Sequence, residues 1–183
     1  MEEMIRVIVK VLEQFKVKYV IIGGIAASIW GKPRMTLDAD IVILLSTENI
    51  ADFLKVLREN GFLISKSSEP KMIGRLRRFL PIKVRFTKAI SCDLRISSYS
   101  IDRNAIERAK KIRIFNTRIK IATPEDVIIY KLVRFEDIDK ADIKTIIQRI
   151  GRKLDFNYIR KSVKQLSQEI GDKNIINNLH FLH

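Results

Sequence analysis

Apolar residues recur at helical spacing over residues 4 to 16, where Ile5, Ile8, Val9, Leu12 and Phe15 share one stripe. The pattern then becomes continuous, and Tyr19 to Ile22 reads as a short buried strand ending at Gly23-Gly24. Ile25 to Trp30 predicts a brief helix stopped by Gly31 and Pro33, because glycine accepts the left-handed cap and proline cannot continue the turn. Asp38 to Leu45 predicts a second strand. A helix over residues 47 to 60, with Ile50, Phe53, Leu54 and Leu57 inward, closes at Gly61 before a short extended piece at Phe62 to Ser65.

Residues 65 to 71 carry no apolar period and are expected to form a loop. Arg75 to Leu80, Lys83 to Phe86 and Ile90 to Ile96 read as strands, the first two joined across Pro81 in a hairpin-like arrangement. A helix is expected near Asp102 to Lys111, then a hairpin of Ile112 to Phe115 and Arg118 to Ile121 around Asn116-Thr117. Thr123-Pro124-Glu125-Asp126 is a strong helix start: a threonine cap, proline in the first turn, and acids facing the positive helix end. Helices follow over 124 to 135, 138 to 150 and 156 to 170, and no internal repeat interrupts the order. Together these elements predict an α/β (α+β) fold with a mixed sheet flanked by helices. Residues 1–122 form the expected core, and 123–183 a helical C-terminal segment packing on it.

A chain of 183 residues, 46% of them hydrophobic, supports one substantial core or a core with a small helical addition. Its apolar runs stop far short of the roughly 18 residues a membrane span requires, so no membrane partner is expected. The acidic start Met1-Glu2-Glu3 lacks the basic, then apolar, character of a secretory signal, and the single cysteine, Cys92, excludes an internal disulfide and a cysteine-rich zinc site. A cytoplasmic protein is expected.

The net charge of +14 changes the picture, because it attracts polyanions such as triphosphates and RNA. The excess lies in two stretches. One holds Lys71, Arg75, Arg77, Arg78, Lys83, Arg85 and Lys88; the other holds Arg103, Arg108, Lys110, Lys111, Arg113, Arg118 and Lys120. Either a solvated surface or a nucleic-acid patch accounts for them. Aromatic residues for base stacking are sparse there, namely Phe79, Phe86, Tyr99 and Phe115, which argues against sequence-specific RNA reading.

Candidate chemistry begins with Asp38-Ala39-Asp40-Ile41-Val42-Ile43, since aspartate is disfavoured in strands yet appears here twice. Alternation points Asp38 and Asp40 to one face, about 7 Å apart along the strand. In Ile90-Ser91-Cys92-Asp93-Leu94-Arg95-Ile96 the apolar set faces one way and Asp93 the other, so if the two strands are neighbours three carboxylates converge. Oxygen ligands facing a triphosphate suit Mg2+. Two ions acting together would activate an attacking hydroxyl and hold the leaving pyrophosphate. Gly23-Gly24, after a strand and opening a helix, lets backbone amides approach phosphate.

Gly23-Gly24, Gly31, Arg34, Thr36, Asp38, Asp40 and Asp93 resemble the signature of the DNA polymerase beta-like nucleotidyltransferase superfamily. Gly-Gly-x-Ala followed by Arg-x-Thr-x-Asp-x-Asp most resembles its toxin-type and minimal prokaryotic members, including the AbiEii abortive-infection group. The likeness extends through Pro124-Glu125-Asp126, Lys131-Leu132, Arg134, Asp139 and Asp142. It implies a nucleotidyltransferase fold, with Asp38, Asp40 and Asp93 as catalytic metal ligands, Gly23 and Gly24 holding phosphate, and Lys131 neutralising a nucleoside triphosphate such as ATP. Arg34 and Thr36 complete the nucleotide-binding candidates, and Arg34 either contacts phosphate or orients Asp38. Many relatives have Gly-Ser where this chain has Gly23-Gly24, so a hydroxyl contact to phosphate is absent.

Lys131 also stands out without the resemblance, because it lies within the apolar stripe Val127, Ile128, Leu132 and Phe135, and a buried lysine needs an anion. Asp142, in line with Ile138, Ile146 and Ile150, is positioned to pair with Lys131 or Arg134 and fix the helix pair beside the site. His180 and His183 read as surface residues, Trp30 as a core anchor, and Ser97, Ser98 and Ser100 as a turn. The expected activity is Mg2+-dependent transfer of a nucleoside monophosphate from a triphosphate to an RNA end or a protein hydroxyl, with a cognate toxin or antitoxin protein as a further partner. Two rivals are a catalytically weak, antitoxin-like binding partner and an RNA-binding module without enzymatic activity.

Overall fold

Both alternating sets of the central strands are apolar: Tyr19, Ile21, Ile41 and Ile43 on one face and Val20 and Val42 on the other are all buried. A sheet with two apolar faces must be covered on both sides. The computed structural model, which describes every residue except Phe79, Phe115 and His183, has such a sheet. Its strands are β1 (Lys18–Ile22), β2 (Asp38–Leu44), β3 (Ile82–Arg85), β4 (Ser91–Ile96), β5 (Lys110–Ile114) and β6 (Thr117–Ile121). They lie in the order β3-β4-β2-β1-β6-β5. β2 runs parallel to β4 and β1 to β6, and the remaining neighbours are antiparallel.

The helices are α1 (Glu2–Gln14), α2 (Gly23–Trp30), α3 (Ile50–Glu59), α4 (Glu69–Arg77), α5 (Ser100–Arg108), α6 (Pro124–Arg134), α7 (Asp137–Ile150), α8 (Phe156–Ile170) and the short α9 (Asn174–Asn177). α1 packs on β1, β6 and α3 through Met4, Ile5, Ile8 and Leu12, all fully buried. α6 follows the hairpin of β5 and β6, and the expected threonine cap is present, with Thr123 Oγ1 accepting from the Asp126 N–H at 3.3 Å. α6 contacts α2, α7 and α8, so the helices after β6 are packed against the element that follows β1. The mixed sheet, its flanking helices and the helical C-terminal region agree with the expected fold class.

Four expectations are corrected. Arg75 to Arg77 do not form a strand but end α4. Pro70 in its first turn, Glu69 near its positive end, and Arg75 and Arg77 near its negative end all favour that helix, which starts inside the segment expected to be a loop. β3 pairs instead with β4, through a turn in which the Phe86 and Thr87 N–H groups donate to the Ile90 carbonyl at 2.9 and 3.1 Å. The extended piece at 62 to 65 is reduced to one bridge between Leu63 and Arg85. α5 begins at Ser100, two residues early, because the Asp102 carboxylate accepts from the Ser98 and Tyr99 N–H groups. It ends at Arg108, where Lys110 and Lys111 pair with β6. Phe79 and Phe115, two of the sparse aromatics, and His183 lie outside the described residues.

Candidate active site

Register decides whether the carboxylates meet. Asp40 on β2 is directly opposite Asp93 on β4, and Asp38 is opposite Ser91, so Asp38, Asp40 and Asp93 share one face of the sheet. Ile22, the last residue of β1, is opposite Asp40, and the chain turns there into α2. Gly23 has a φ of +63°, in the left-handed region, and a methyl group added to it would overlap Asp40 Oδ2. Only glycine allows both the turn and the approach of that carboxylate. Ile22 gives α2 no side-chain cap, and the Asp40 carboxylate accepts from the Gly24 N–H at that positive end.

All eight residues singled out from the sequence, Gly23, Gly24, Arg34, Thr36, Asp38, Asp40, Asp93 and Lys131, line one cavity of about 360 Å³, together with Ile22, Tyr130, Arg134, Ile138 and Asp139. Four of those five additions come from α6 and α7. Arg134 and Asp139 belong to the resemblance and Ile138 to a helical stripe, whereas the place of Tyr130 depends on how α6 packs rather than on local pattern.

The three carboxylates differ in environment. Ser91 Oγ donates to Asp38, and with Lys83 it holds the Asp38 carboxyl below its ordinary range despite some burial. Burial pushes Asp40 up, opposed in part by the Gly24 N–H, Arg134 and Lys131. Burial also pushes Asp93 up, opposed by Lys83 and reinforced by the charge on Asp40. Lys83 on β3, directly opposite Asp93, places its ammonium 3.0 Å from Asp38 Oδ2 and 3.6 Å from Asp93 Oδ1. The second distance is too long for a hydrogen bond, and Asp93 Oδ1 has no donor.

The carboxylates are therefore on one face and in one cavity but are not drawn into a cage. Among the described residues no group of three or more His, Cys, Asp or Glu side chains is arranged to hold a metal ion. The donor chemistry nevertheless fits a hard cation: oxygen ligands only, one of them without a hydrogen-bond donor, with an ammonium already drawn between two of them.

Opposite the carboxylates lies a chain of ion pairs. Arg34 is bidentate to Asp142, with Nε and Nη2 at 3.0 and 2.9 Å. Lys131, only 4% exposed, sits 2.7 Å from Asp139 Oδ1 and 2.8 Å from Asp142 Oδ2, and Arg134 is bidentate to Asp139 at 2.7 and 2.8 Å. Burial works against the charge on Asp139 and Asp142, but the hydrogen bonds from their cationic partners outweigh it and hold both carboxyls below the ordinary range. The expected pairing of Asp142 with Lys131 is present. Arg134 pairs with Asp139 instead, and the Asp142 fork goes to Arg34, 108 residues away in sequence. Glu136 Oε2 lies 3.6 Å from Arg134 Nε, so three cations face three carboxylates along the chain.

Gly24 has a local reason of its own. A Cβ there would lie 3.1 Å from Thr36 Oγ1 and 3.3 Å from Arg34 Nη2, tighter than ordinary contact. Thr36 is fixed by donating to the Asp38 carbonyl at 2.9 Å. The space beside Gly24 is filled from across the loop by a threonine hydroxyl and a guanidinium.

Residues 1–182 match a family described as "Nucleotidyltransferase of unknown function (DUF6036)". No curated protein matches the chain in sequence. Solved structures that share the fold include these three. The lincosamide antibiotic adenylyltransferase LnuA, bound to lincomycin, is 14% identical, with a TM-score of 0.50 over 79% of this chain and 94% of that one. An antigenic nucleotidyltransferase-like protein from Paracoccidioides brasiliensis is 19% identical, with a TM-score of 0.52 over 98% and 92%. The antibiotic-resistance factor ANT(2'')-Ia is 10% identical, with a TM-score of 0.51 over 98% and 96%. At such identities the likeness shows a nucleotidyltransferase fold.

Proposed function

The chain belongs to that family of nucleotidyltransferases, which spans it almost end to end, and on that premise we propose that it transfers a nucleoside monophosphate from a nucleoside triphosphate to a hydroxyl on RNA or protein. The observation that carries this reading is the single cavity lined by Asp38, Asp40 and Asp93, the start of α2 at Gly23-Gly24 and the Arg34, Lys131 and Arg134 cations. Asp38, Asp40 and Asp93 would hold Mg2+. Bound there, the metal supplies charge for the phosphates and lowers the barrier to in-line displacement. Gly23 lets the Asp40 carboxylate approach the start of α2, and the Arg34, Lys131 and Arg134 cations lining the cavity orient the triphosphate. The acceptor oxygen bonds to the α-phosphorus, the bond from that phosphorus to the bridging oxygen breaks, pyrophosphate leaves, and the hydroxyl proton passes to a carboxylate of the set. A chain of net charge +14 repels cationic acceptors, which favours RNA or an acidic protein surface over a basic antibiotic. Membership of a toxin and antitoxin pair is the biological setting proposed from the sequence signature. No helix among the described residues is long and apolar enough to cross a membrane.

The test is incubation with each α-labelled triphosphate, Mg2+, total RNA and cell protein. Metal-dependent label on either acceptor supports the reading, and its absence with all four triphosphates refutes it.

Lys83 provides a second check, free of turnover. Its ammonium occupies the space a metal needs, so Lys83→Met is expected to tighten Mn2+ binding about two- to fivefold, the worth of a half-exposed ion pair. Electron paramagnetic resonance of free Mn2+ measures it. Weaker binding in the variant would mean that the metal lies elsewhere.

A further inference from the structure

The hairpin of β5 and β6 carries an arrangement that the site does not use. Lys111 is directly opposite Lys120, and Arg113 directly opposite Arg118. Like charges facing each other across strands are destabilising, and here two such pairs are stacked on one face. Lys18 on the adjoining β1 adds a fifth cation, lining with Lys111 and Lys120 a cavity of about 350 Å³ whose only acid is Glu107. None of the five has an ion-pair partner among the described residues, and all but Lys120, which is half-buried over the Tyr19 ring, are exposed.

Protection of an open sheet edge explains cations on β5, the last strand, but not on β6, which is paired on both sides. Uncompensated, opposed charges held in register are what a repeating anion would relieve.

We propose that this strip is a docking track for the phosphate backbone of a polynucleotide. Along each strand the cations recur every second residue, about 7 Å apart, on one face, which suits successive phosphates. An acidic protein is the weaker fit. Protein interfaces are built around apolar and aromatic anchors and are depleted in lysine, and among the described residues none of the large exposed apolar side chains lies on this hairpin. Aromatics are sparse along the strip, which makes the track indifferent to sequence.

The strip and the cavity share a face of the sheet. Ile22 faces the same way as Asp40, and Lys18 lies four residues earlier on that strand, so it points to the face of the carboxylates. The pairing of Ile21 with Ile121 puts Lys120 and Arg118 there too. β6 and β5 are two and three strands from β2, roughly 10 to 15 Å across the sheet, and Lys18, opposite Leu44, lies roughly a further 13 Å along β1 from the Ile22 that faces Asp40. The proposal goes beyond nucleotide transfer and stands without it, since docking requires neither triphosphate nor metal.

The experiment is fluorescence anisotropy of a labelled 20-nucleotide single-stranded RNA against the full chain over a range of salt, without triphosphate or metal. The variant carries Lys111→Gln, Arg113→Gln, Arg118→Gln and Lys120→Gln. A control of equal net charge carries Lys10→Gln, Lys55→Gln, Lys161→Gln and Lys164→Gln, all exposed and away from the strip. The strip variant should bind at least about tenfold more weakly and lose about 2 to 3 from the slope of log affinity against log salt, at about 0.7 for each phosphate no longer neutralised. The control should retain most of both. Removing opposed like charges should leave the Tm unchanged or higher, which separates weakened docking from impaired folding. Equal losses in both variants would overturn the proposal in favour of net charge alone. Displacement of RNA by polyglutamate at equal charge concentration would overturn it in favour of an acidic polypeptide.

Discussion

Asp40→Asn is expected to slow nucleotide transfer by a factor of roughly a thousand while leaving the Tm at pH 7 unchanged or slightly higher. The two halves of that result have one cause. Asp40 is half-buried, against Gly23 and opposite Asp93, where on the proposed reading its charge holds a cation. Burial lifts its pKa in the folded chain above the unfolded value of about 3.9, so the folded state bears the cost of the charge at every pH above the folded pKa. Asparagine keeps the shape and an oxygen for the Gly24 N–H but removes that cost. The difference in Tm between variant and wild type should therefore vanish as the pH falls below about 4, where aspartate is protonated in both states. Calorimetry at pH 7 and pH 3.5, beside the transfer assay, measures both. A variant that transfers at the wild-type rate, or that melts well below wild type at neutral pH, would place Asp40 in the structural core rather than at the chemistry.

Asp102→Ala is expected to cost about 3–5 kcal/mol of folding stability, the scale for breaking a buried charged network. For a chain of this length that lowers the Tm by about 10 °C, at roughly 2–4 °C per kcal/mol. Asp102 is fully buried and accepts four hydrogen bonds: from Arg95 Nη2 at 2.7 Å, the Tyr130 hydroxyl at 2.8 Å, and the Ser98 and Tyr99 N–H groups at 2.9 and 3.2 Å. Those donors come from β4, α6 and the start of α5, so one carboxylate joins the strand of Asp93 to the helix of Lys131. Alanine leaves a buried hydroxyl and a guanidinium without their acceptor. Asp137→Ala, which removes an acid fully exposed beside Lys140, should shift the Tm by no more than a degree or two. Equal effects from the two substitutions would mean that the Asp102 network contributes nothing beyond surface charge.

What the sequence made legible follows from the range of each interaction. Asp38 and Asp40 were visible because a period of two puts them on one face of a strand otherwise made of apolar residues, and Gly23 because it joins a strand to a helix. The Thr123 cap and the pairing of Lys131 with Asp142 were readable from helical stripes. Lys83 was not, since its place between Asp38 and Asp93 depends on β3 pairing with β4 through the turn at 86 to 90, whereas local pattern paired that strand with residues 75 to 80. The same misreading hid α4, whose run of arginines has no apolar stripe and buries only Leu76. Arg34 found its carboxylate on α7 and Asp102 found donors on three separate elements, contacts that only the packed chain defines. The metal reading shows the same division. The carboxylates could be found one by one, but not the ammonium that stands among them.

The central claim is that the bond broken lies at the α-phosphorus, and the most direct measurement is to compare α-labelled with γ-labelled triphosphate in the same reaction, with Mg2+ and the acceptor that takes up label. The account predicts label on the acceptor from the α-labelled triphosphate alone, with the γ-label recovered as pyrophosphate. Label on the acceptor from the γ-position would contradict it, because the chain would then be moving a phosphoryl group rather than a nucleotide.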